Sequence, residues 1–262
     1  MQSRNFSLRA TTSPDSARRA ERVVFCDFDG PVVDVSERYY QTYRKGLLWI
    51  EENAKTAQGR SLSIRPLSKD CFWEMKQNRV ADIEIAIRSG LPEDLFESYM
   101  QQVQRIVNHP SLLSWDRLQP TALAALEQLN QQKLRVVIVT LRHPRQVEAF
   151  LEANSLTHLV AETYGAQDVN AAYANRTELK KVLLSNAIAQ QTAQGYITHQ
   201  SWMVGDTEAD ILAGQSLGLD TAALCCGVRS EDYLKKLNPS RVCKCLMSAV
   251  SELANSAVLQ VA

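Results

Sequence analysis

Short apolar runs punctuate the chain at 22–27, 135–140, 159–164, 201–205 and 220–225, with a further alternating run at 241–245. Uninterrupted runs of this length read as strands buried on both faces. The clearest is RVVIVT at 135–140, and 241–245 reads as an edge strand. Between the runs, apolar positions recur every three to four residues over 121–132, 145–154, 177–190 and 208–217, which is the period of an amphipathic helix. Strands alternating with helices predict an α/β fold with a doubly wound, parallel, Rossmann-like sheet. The Gln-rich segment 190–200 reads as a loop leading into the fourth strand.

One stretch breaks the alternation. From 39 to 115 the pattern is helical throughout, with candidate helices at 37–57, 68–77, 82–89 and 93–108. A parallel crossover needs only about a dozen residues, so this stretch predicts a helical domain inserted between the first and second strands. The division expected is a tail at 1–20, an α/β core from 21–37 and 116–262, and a helical cap at 38–115. The tail is rich in Ser, Thr and Arg without an apolar period, and reads as disordered; its composition also leaves a transit peptide open.

Composition narrows the function classes. Lys and Arg number 29, as do Asp and Glu, so the formal net charge of the 262 residues is zero. No global basic footprint for nucleic acid or anionic membrane is expected. No apolar run approaches the roughly 18 residues of a spanning helix, so a soluble, cytoplasmic protein is expected, as monomer or homodimer. The six cysteines form no CxxC pair and have no His cluster beside them, which argues for reduced thiols over zinc. Cys225 and Cys226 are adjacent and read as the end of a strand.

Ligands of open α/β sheets bind beyond the carboxyl ends of the strands. Polar groups collect at those ends here: Asp27 and Asp29 after the first strand, Thr140 at the end of the second, and Asp206 with Asp210 after the fourth. In an extended segment Asp27 and Asp29 would project together, and Asp206 and Asp210 would share a face as a helix begins. Converging carboxylates require a counter-charge, and an oxygen-only donor set suits Mg²⁺. Mg²⁺ among carboxylates suggests phosphate chemistry, in which one carboxylate attacks phosphorus and another handles the proton. Thr140 and a cation from Arg176, Lys180 or Lys181 would hold the phosphoryl oxygens. Taken singly these features are ordinary: a DxD is often a solvated turn, GDxxxD a helix start, and paired lysines a solvated helix face. Their joint placement at strand ends gives them meaning.

With these residues in view, the chain resembles the haloacid dehalogenase-like hydrolases, and among them the phosphoglycolate phosphatase-like enzymes with a helical cap. The resemblance runs over about 22–250, through VVFCDFDGPVVD (23–34), VVIVT (136–140) and MVGDTEADILAG (203–214). It implies Asp27 as nucleophile, Asp29 as general acid/base, and metal held by Asp27, Asp29, Asp206 and Asp210. It implies a helical cap closing over a small phosphorylated substrate. Two departures stand out. Pro31 occupies the place of a usual Thr, removing a hydroxyl and an N–H beside the nucleophile. The usual Lys before the fourth strand is matched by Arg176, with Lys180 one turn further in. Asp29 argues against dehalogenation, since family dehalogenases lack that second acid.

Three other functions compete with a phosphatase: a phosphosugar mutase, a catalytically retired regulator, and a phospho-accepting receiver module. The receiver fits poorly, being about half this length, without an inserted helical domain. Arg142 and His143, just after Thr140, are expected either to face the mouth of the site or to lie in a solvated loop. Phe72, Trp73 and Met75 are expected in the core of the cap.

Overall fold

The computed structural model describes residues 21–259, so the expected tail at 1–20 lies outside the described residues. Among the described residues the strands are β1 (Arg22–Cys26), β2 (Val33–Asp34), β3 (Arg117–Leu118), β4 (Leu134–Thr140), β5 (Glu162–Gly165), β6 (Ile197–Gly205), β7 (Asp220–Leu224) and β8 (Arg241–Cys243). Six of them form one sheet in the order β5-β4-β1-β6-β7-β8, with every pair parallel. β1 lies at the centre, and the chain leaves it on both sides, which makes its carboxyl end the switch point of the winding.

The central strands are apolar because both faces are covered. Val23 and Phe25 join Val137, Val139 and Met203 on one face, while Val24 and Cys26 join Val136, Ile138 and Val204 on the other. Fully burying such a side chain is worth roughly 1.5–3 kcal/mol, so these three strands anchor the fold. α6 (Ala122–Gln131), α7 (Pro144–Ala153) and α12 (Leu246–Leu259) belong to the second face; α9 (Thr177–Ala193) and α10 (Glu208–Ser216) belong to the first. No described helix is long and apolar enough to cross a membrane.

Five helices stand between β2 and β3: α1 (Ser36–Gln58), α2 (Lys69–Gln77), α3 (Asp82–Arg88), α4 (Phe96–Ile106) and α5 (Pro110–Leu113). β2 and β3 pair antiparallel, Val33 opposite Leu118 and Asp34 opposite Arg117, so the outgoing and returning chains are tied at one place. Within the insert, Phe72 and Met75 are buried, and Phe72 stacks on Tyr43 with ring centroids 4.6 Å apart. Trp73 is half-buried and meets Tyr39 edge-on. Gly46 on α1 lets α4 approach, because a Cβ there would lie 2.9 Å from the Tyr99 ring.

Several expected boundaries move. The run at 159–164 is a single turn of 3-10 helix (Thr157–Leu159) followed by β5, which starts at Glu162. Leu159 still enters the core, from the turn and not from a strand. The expected loop 190–200 is instead the last turn of α9 and the start of β6. β6 begins at Ile197, and its pairing with β1 slips between Arg22 and Val24, where Gln200 adopts φ +65°. That bulge accommodates polar, exposed His199 and Gln200 within a strand, so the apolar pattern fails there. Two shorter helices, α8 (Ala171–Ala174) and α11 (Glu231–Lys235), and a turn of 3-10 helix at Glu93–Leu95 before α4 complete the described elements.

Candidate active site

β1, β4 and β6 end side by side, and each delivers a polar residue to the same place. Asp27 follows β1 directly, Thr140 is the last residue of β4, and Asp206 follows β6. Asp27, Asp206 and Asp210 are buried and can each offer an oxygen, all within 4.8 Å of one another. Lys180, on the first turn of α9 and 1% exposed, reaches Asp27 Oδ1 at 2.8 Å and Asp210 Oδ1 at 2.7 Å. Asp27 Oδ1 also accepts from the Phe28 N–H at 2.7 Å, while Oδ2 has no partner among the described residues.

Asp210, inside the first turn of α10, completes a capping box with the N-cap residue Thr207. Its Oδ2 accepts from the Thr207 N–H and hydroxyl and from the Asp206 N–H. Asp206 is walled in on two sides: a Cβ on Gly227 would lie 1.9 Å from Asp206 Oδ2, and one on Gly30 would lie 2.2 Å from its Cγ. Gly30 further adopts φ +94°, a conformation that favours glycine. Asp206 Oδ2 accepts from the Val228 N–H, and Oδ1 is buried with no hydrogen-bond partner.

The electrostatics follow from three carboxylates facing one ammonium. Burial, reinforced by Asp210 and only partly opposed by Lys180, pushes Asp27 up to about 7. Burial and then Asp210 and Asp27 hold Asp206 well above the carboxylate range. Lys180 is disfavoured by burial, but Asp210 and Asp27 more than reverse this and hold it charged. Such a group carries a deficit of positive charge, which a divalent cation would relieve.

Asp27 and Asp29 both line the cavity, but the chain bends at Phe28 between them, and Asp29 pairs with Arg38 Nη2 and Arg142 Nη1, each at 2.9 Å, outside the group of three carboxylates. Burial raises Asp29, but Arg142 and Arg38 outweigh it and hold the carboxyl below its ordinary value. Arg142 is 3% exposed and engaged in these ion pairs, so it is neither at the mouth nor in solvent. His143 caps α7, its Nδ1 accepting from the Arg145 N–H. Of the cations that it offers, the sequence favours Arg176, whereas the structure brings Lys180 to the carboxylates. Arg176 is the exposed N-cap residue of α9, and Lys180 alone of the pair enters the carboxylate group. Thr140 is buried, its hydroxyl accepting from the Arg142 N–H at 3.1 Å. Pro31 lies buried in the turn that Gly30 opens.

A cavity of about 270 Å³ opens over these residues, with Asp27, Asp29 and Asp206 at its base and Tyr39, Lys76 and Arg79 from the insert opposite. The insert is tied down on both sides. Ser230 N–H donates to Gln77 O at 2.9 Å, Gln77 Nε2 to Gly227 O at 3.0 Å, and Arg79 Nε to Glu208 at 2.9 Å. On the other side Tyr173 donates to Asp82, and Asn108 Nδ2 to Val169 O. Glu208 also takes two hydrogen bonds from buried Arg229, which overcome the effect of burial and hold its carboxyl at about 2.

Sequence reasoning missed Arg38, Asp116, Glu208, Arg229 and the insert's Lys76 and Arg79. Nothing local marks them, because most of their partners are remote in sequence. The exception is Glu208, within the GDTEAD segment, whose acid in a helix's first turn was open to reading as a dipole effect.

A parallel sheet of this order, a helical insert after the first strand, carboxylates at two strand ends and a threonine at a third point to one class of hydrolase. A profile of the haloacid dehalogenase-like hydrolases matches residues 23–224, and the chain belongs to that family. Relatives that it matches carry the names phosphoglycolate phosphatase and pyrophosphatase. It is 24% identical to the pyrophosphatase PpaX of Bacillus cereus over 216 residues, 82% of this chain and 88% of that protein. It is 31% identical to a phosphoglycolate phosphatase of Mannheimia succiniciproducens over 117 residues, a match spanning 45% of this chain and about half (49%) of that enzyme. Among solved structures, a haloacid dehalogenase-like hydrolase from Streptococcus pneumoniae superposes with a TM-score of 0.64 at 16% identity, covering 88% of this chain and 98% of that one. A protein described as a predicted phosphoglycolate phosphatase from Haemophilus somnus superposes at 0.62 and 19% identity, covering 88% and 97%.

Proposed function

We propose that the chain is a Mg²⁺-dependent phosphatase of a small phosphorylated metabolite, working through an aspartyl-phosphate on Asp27. The observation that carries this reading is the asymmetry of Asp27: Oδ1 is held by Lys180 and the Phe28 N–H, while Oδ2 is unpartnered at the base of the cavity. A carboxylate fixed by one oxygen presents the other for attack.

The residues fit Mg²⁺. The donors are carboxylate oxygens, three of them converge, and Asp206 Oδ1 is buried without a partner. Asp27 and Asp206 would hold the ion, with Asp210 behind them and Asp29 adjacent. When bound, the ion would supply positive charge that offsets the phosphoryl oxygens and the carboxylates. The chain's own groups do the rest. Lys180 and Thr140 orient the phosphoryl oxygens, with Lys180 favoured over the exposed Arg176 because it already lies in the group. Asp29 protonates the leaving oxygen and then takes a proton from the attacking water, the negative phosphoryl group beside it offsetting the pull by which Arg142 and Arg38 otherwise hold it ionised. The helical insert, 38–115, acts as a cap that closes the cavity from water, and its size restricts the substrate to a small one.

The test is phosphate release from a panel of phosphomonoesters with Mg²⁺ and with chelator, run beside Asp27→Asn. Release that requires Mg²⁺ and disappears in the variant supports the reading. Mg²⁺ binding with no turnover on any ester would point instead to a retired relative, and an isomeric sugar phosphate as product would point to a mutase.

A further inference from the structure

Asp29 is one corner of a closed ring of four charged side chains. Arg38 Nη2 meets its Oδ2 and Arg142 Nη1 its Oδ1, both at 2.9 Å. Asp116 closes the ring, accepting from Arg38 Nε at 2.7 Å and from Arg142 Nη2 at 2.6 Å. Two carboxylates and two guanidiniums balance, and Asn108 Oδ1 takes a further Arg38 donor at 3.1 Å. The side chains of Arg38, Asp116 and Arg142 are at most 3% exposed, whereas Asp29 is 13% exposed and lines the cavity.

Two of the ring's members come from the places where the chain crosses between core and insert, and the other two from the ends of core strands. Arg38 is on the first turn of α1, just past β2; Asp116 immediately precedes β3; Arg142 lies two residues beyond the end of β4. β2 and β3 are themselves paired, so one ring fastens both crossings to the carboxylate. A buried ring of this kind is a poor way to gain stability, since apolar side chains of similar volume would serve as well or better. What it does supply is a fixed direction for one carboxylate, because a guanidinium fork admits few geometries.

Resting on the reading of Asp29 as the proton donor and acceptor, we propose that Arg38, Asp116 and Arg142 are positioning residues. They aim the Asp29 carboxylate into the cavity, and its aim depends on both crossings of the insert being seated. In the first half-reaction a bond forms between Asp27 Oδ2 and phosphorus, the bond from phosphorus to the leaving oxygen breaks, and the Asp29 proton passes to that oxygen. In the second, the oxygen of water bonds to phosphorus, the Asp27–phosphorus link breaks, and a water proton passes to Asp29. An alkyl leaving oxygen needs the proton more than a nitrophenolate does, so misaiming Asp29 discriminates between the two in the first half-reaction.

The experiment compares kcat/KM on an alkyl phosphate and on p-nitrophenyl phosphate, for wild type, Asp29→Asn, Asp116→Asn, Arg142→Lys and the Asp29→Asn/Asp116→Asn double variant. General acid catalysis is worth roughly 100- to 10,000-fold, so Asp116→Asn should lower kcat/KM on the alkyl ester at least about 10-fold. On p-nitrophenyl phosphate it should lower it by about threefold or less, while kcat falls on both esters because the second half-reaction is shared. The double variant should be no slower than Asp29→Asn alone, since residues acting as a unit are not additive. Arg142→Lys keeps the charge but loses the fork, and should show the same leaving-group pattern in a protein whose melting temperature is close to wild type. Equal losses of kcat/KM on both esters, or a full additional loss in the double variant, would overturn the positioning role. Absence of phosphate release by wild type from either ester, with Mg²⁺ present, would instead overturn the phosphatase reading and the inference with it.

Discussion

Asp27, Asp206 and Asp210 show how a residue's meaning comes from what cannot leave it. Each is buried, and a single ammonium, Lys180, faces two of them. Removing one partner from a buried charged group typically costs about 3–5 kcal/mol, so Lys180→Met is expected to destabilise the protein by about that much in chelator. Denaturant unfolding measures it, and Mg²⁺ should restore part of the loss by supplying the missing charge. Gly227→Ala tests the wall beside Asp206. The added methyl would meet Asp206 Oδ2 at 1.9 Å, so the carboxylate must shift, and Mg²⁺ affinity by calorimetry should fall about 10- to 100-fold. At this scale the sequence was informative wherever chemistry was local. Asp27, Asp29, Asp206 and Asp210 stand out because DxD and GDxxxD are contiguous and follow strands. The orientation of Asp29 was not legible, since it depends on a bend at Phe28 and on Arg142, 113 residues away. Lys180 was legible only as a choice, because Arg176 and Lys180 differ by one helical turn whose facing the sequence does not specify.

The elements that matter most for the site are the ones that hold others in place. α10 is pinned at its first turn by Asp210 and tied to the insert through Glu208, which receives Arg79 from beyond α2 and Arg229 from the loop after β7. Glu208 has a folded-state pKa of about 2 against an ordinary 4.5, so its contribution to stability is present above 4.5 and is lost as pH falls toward 2. Glu208→Gln should therefore lower the melting temperature near neutral pH, with the gap from wild type closing as the pH is taken down through that window. The long buried strands and the amphipathic helices of core and insert were readable, since two-sided burial and a helical period leave plain patterns. β2 and β3 were not, because two residues carry no period, and their pairing joins positions 33–34 to 117–118 across the whole insert. β6 was underestimated for the opposite reason: after Ile197 its residues 198–200 are polar and bulge out of the pairing, so no apolar run marks that part of the strand.

For the molecule as a whole, the sheet provides stability and the insert closes the cavity. The site between them concentrates negative charge that the fold alone does not neutralise. A ligand that binds only the folded state stabilises it by about 2.7 kcal/mol at a hundredfold excess over its Kd. Mg²⁺ at such a concentration should raise the melting temperature of wild type, and Asp206→Asn should abolish the rise while leaving the chain folded. The general design was legible from sequence because strands and helices alternate repeatedly, with acids after β1 and β6. The closure of the insert was not, because its ties run from Gln77 and Arg79 to Gly227 and Glu208, pairs that no local pattern announces. The central claim is that Asp27 becomes phosphorylated. Its most direct test is to react Asp29→Asn, in which breakdown of the intermediate is slowed, with a radiolabelled phosphomonoester and Mg²⁺, quench in acid, and map the label by peptide. Label on the peptide carrying Asp27, absent when Asp27 is also replaced by Asn, is the predicted result. Phosphate release by wild type with no label trapped on that peptide, or with label on another residue, would contradict it.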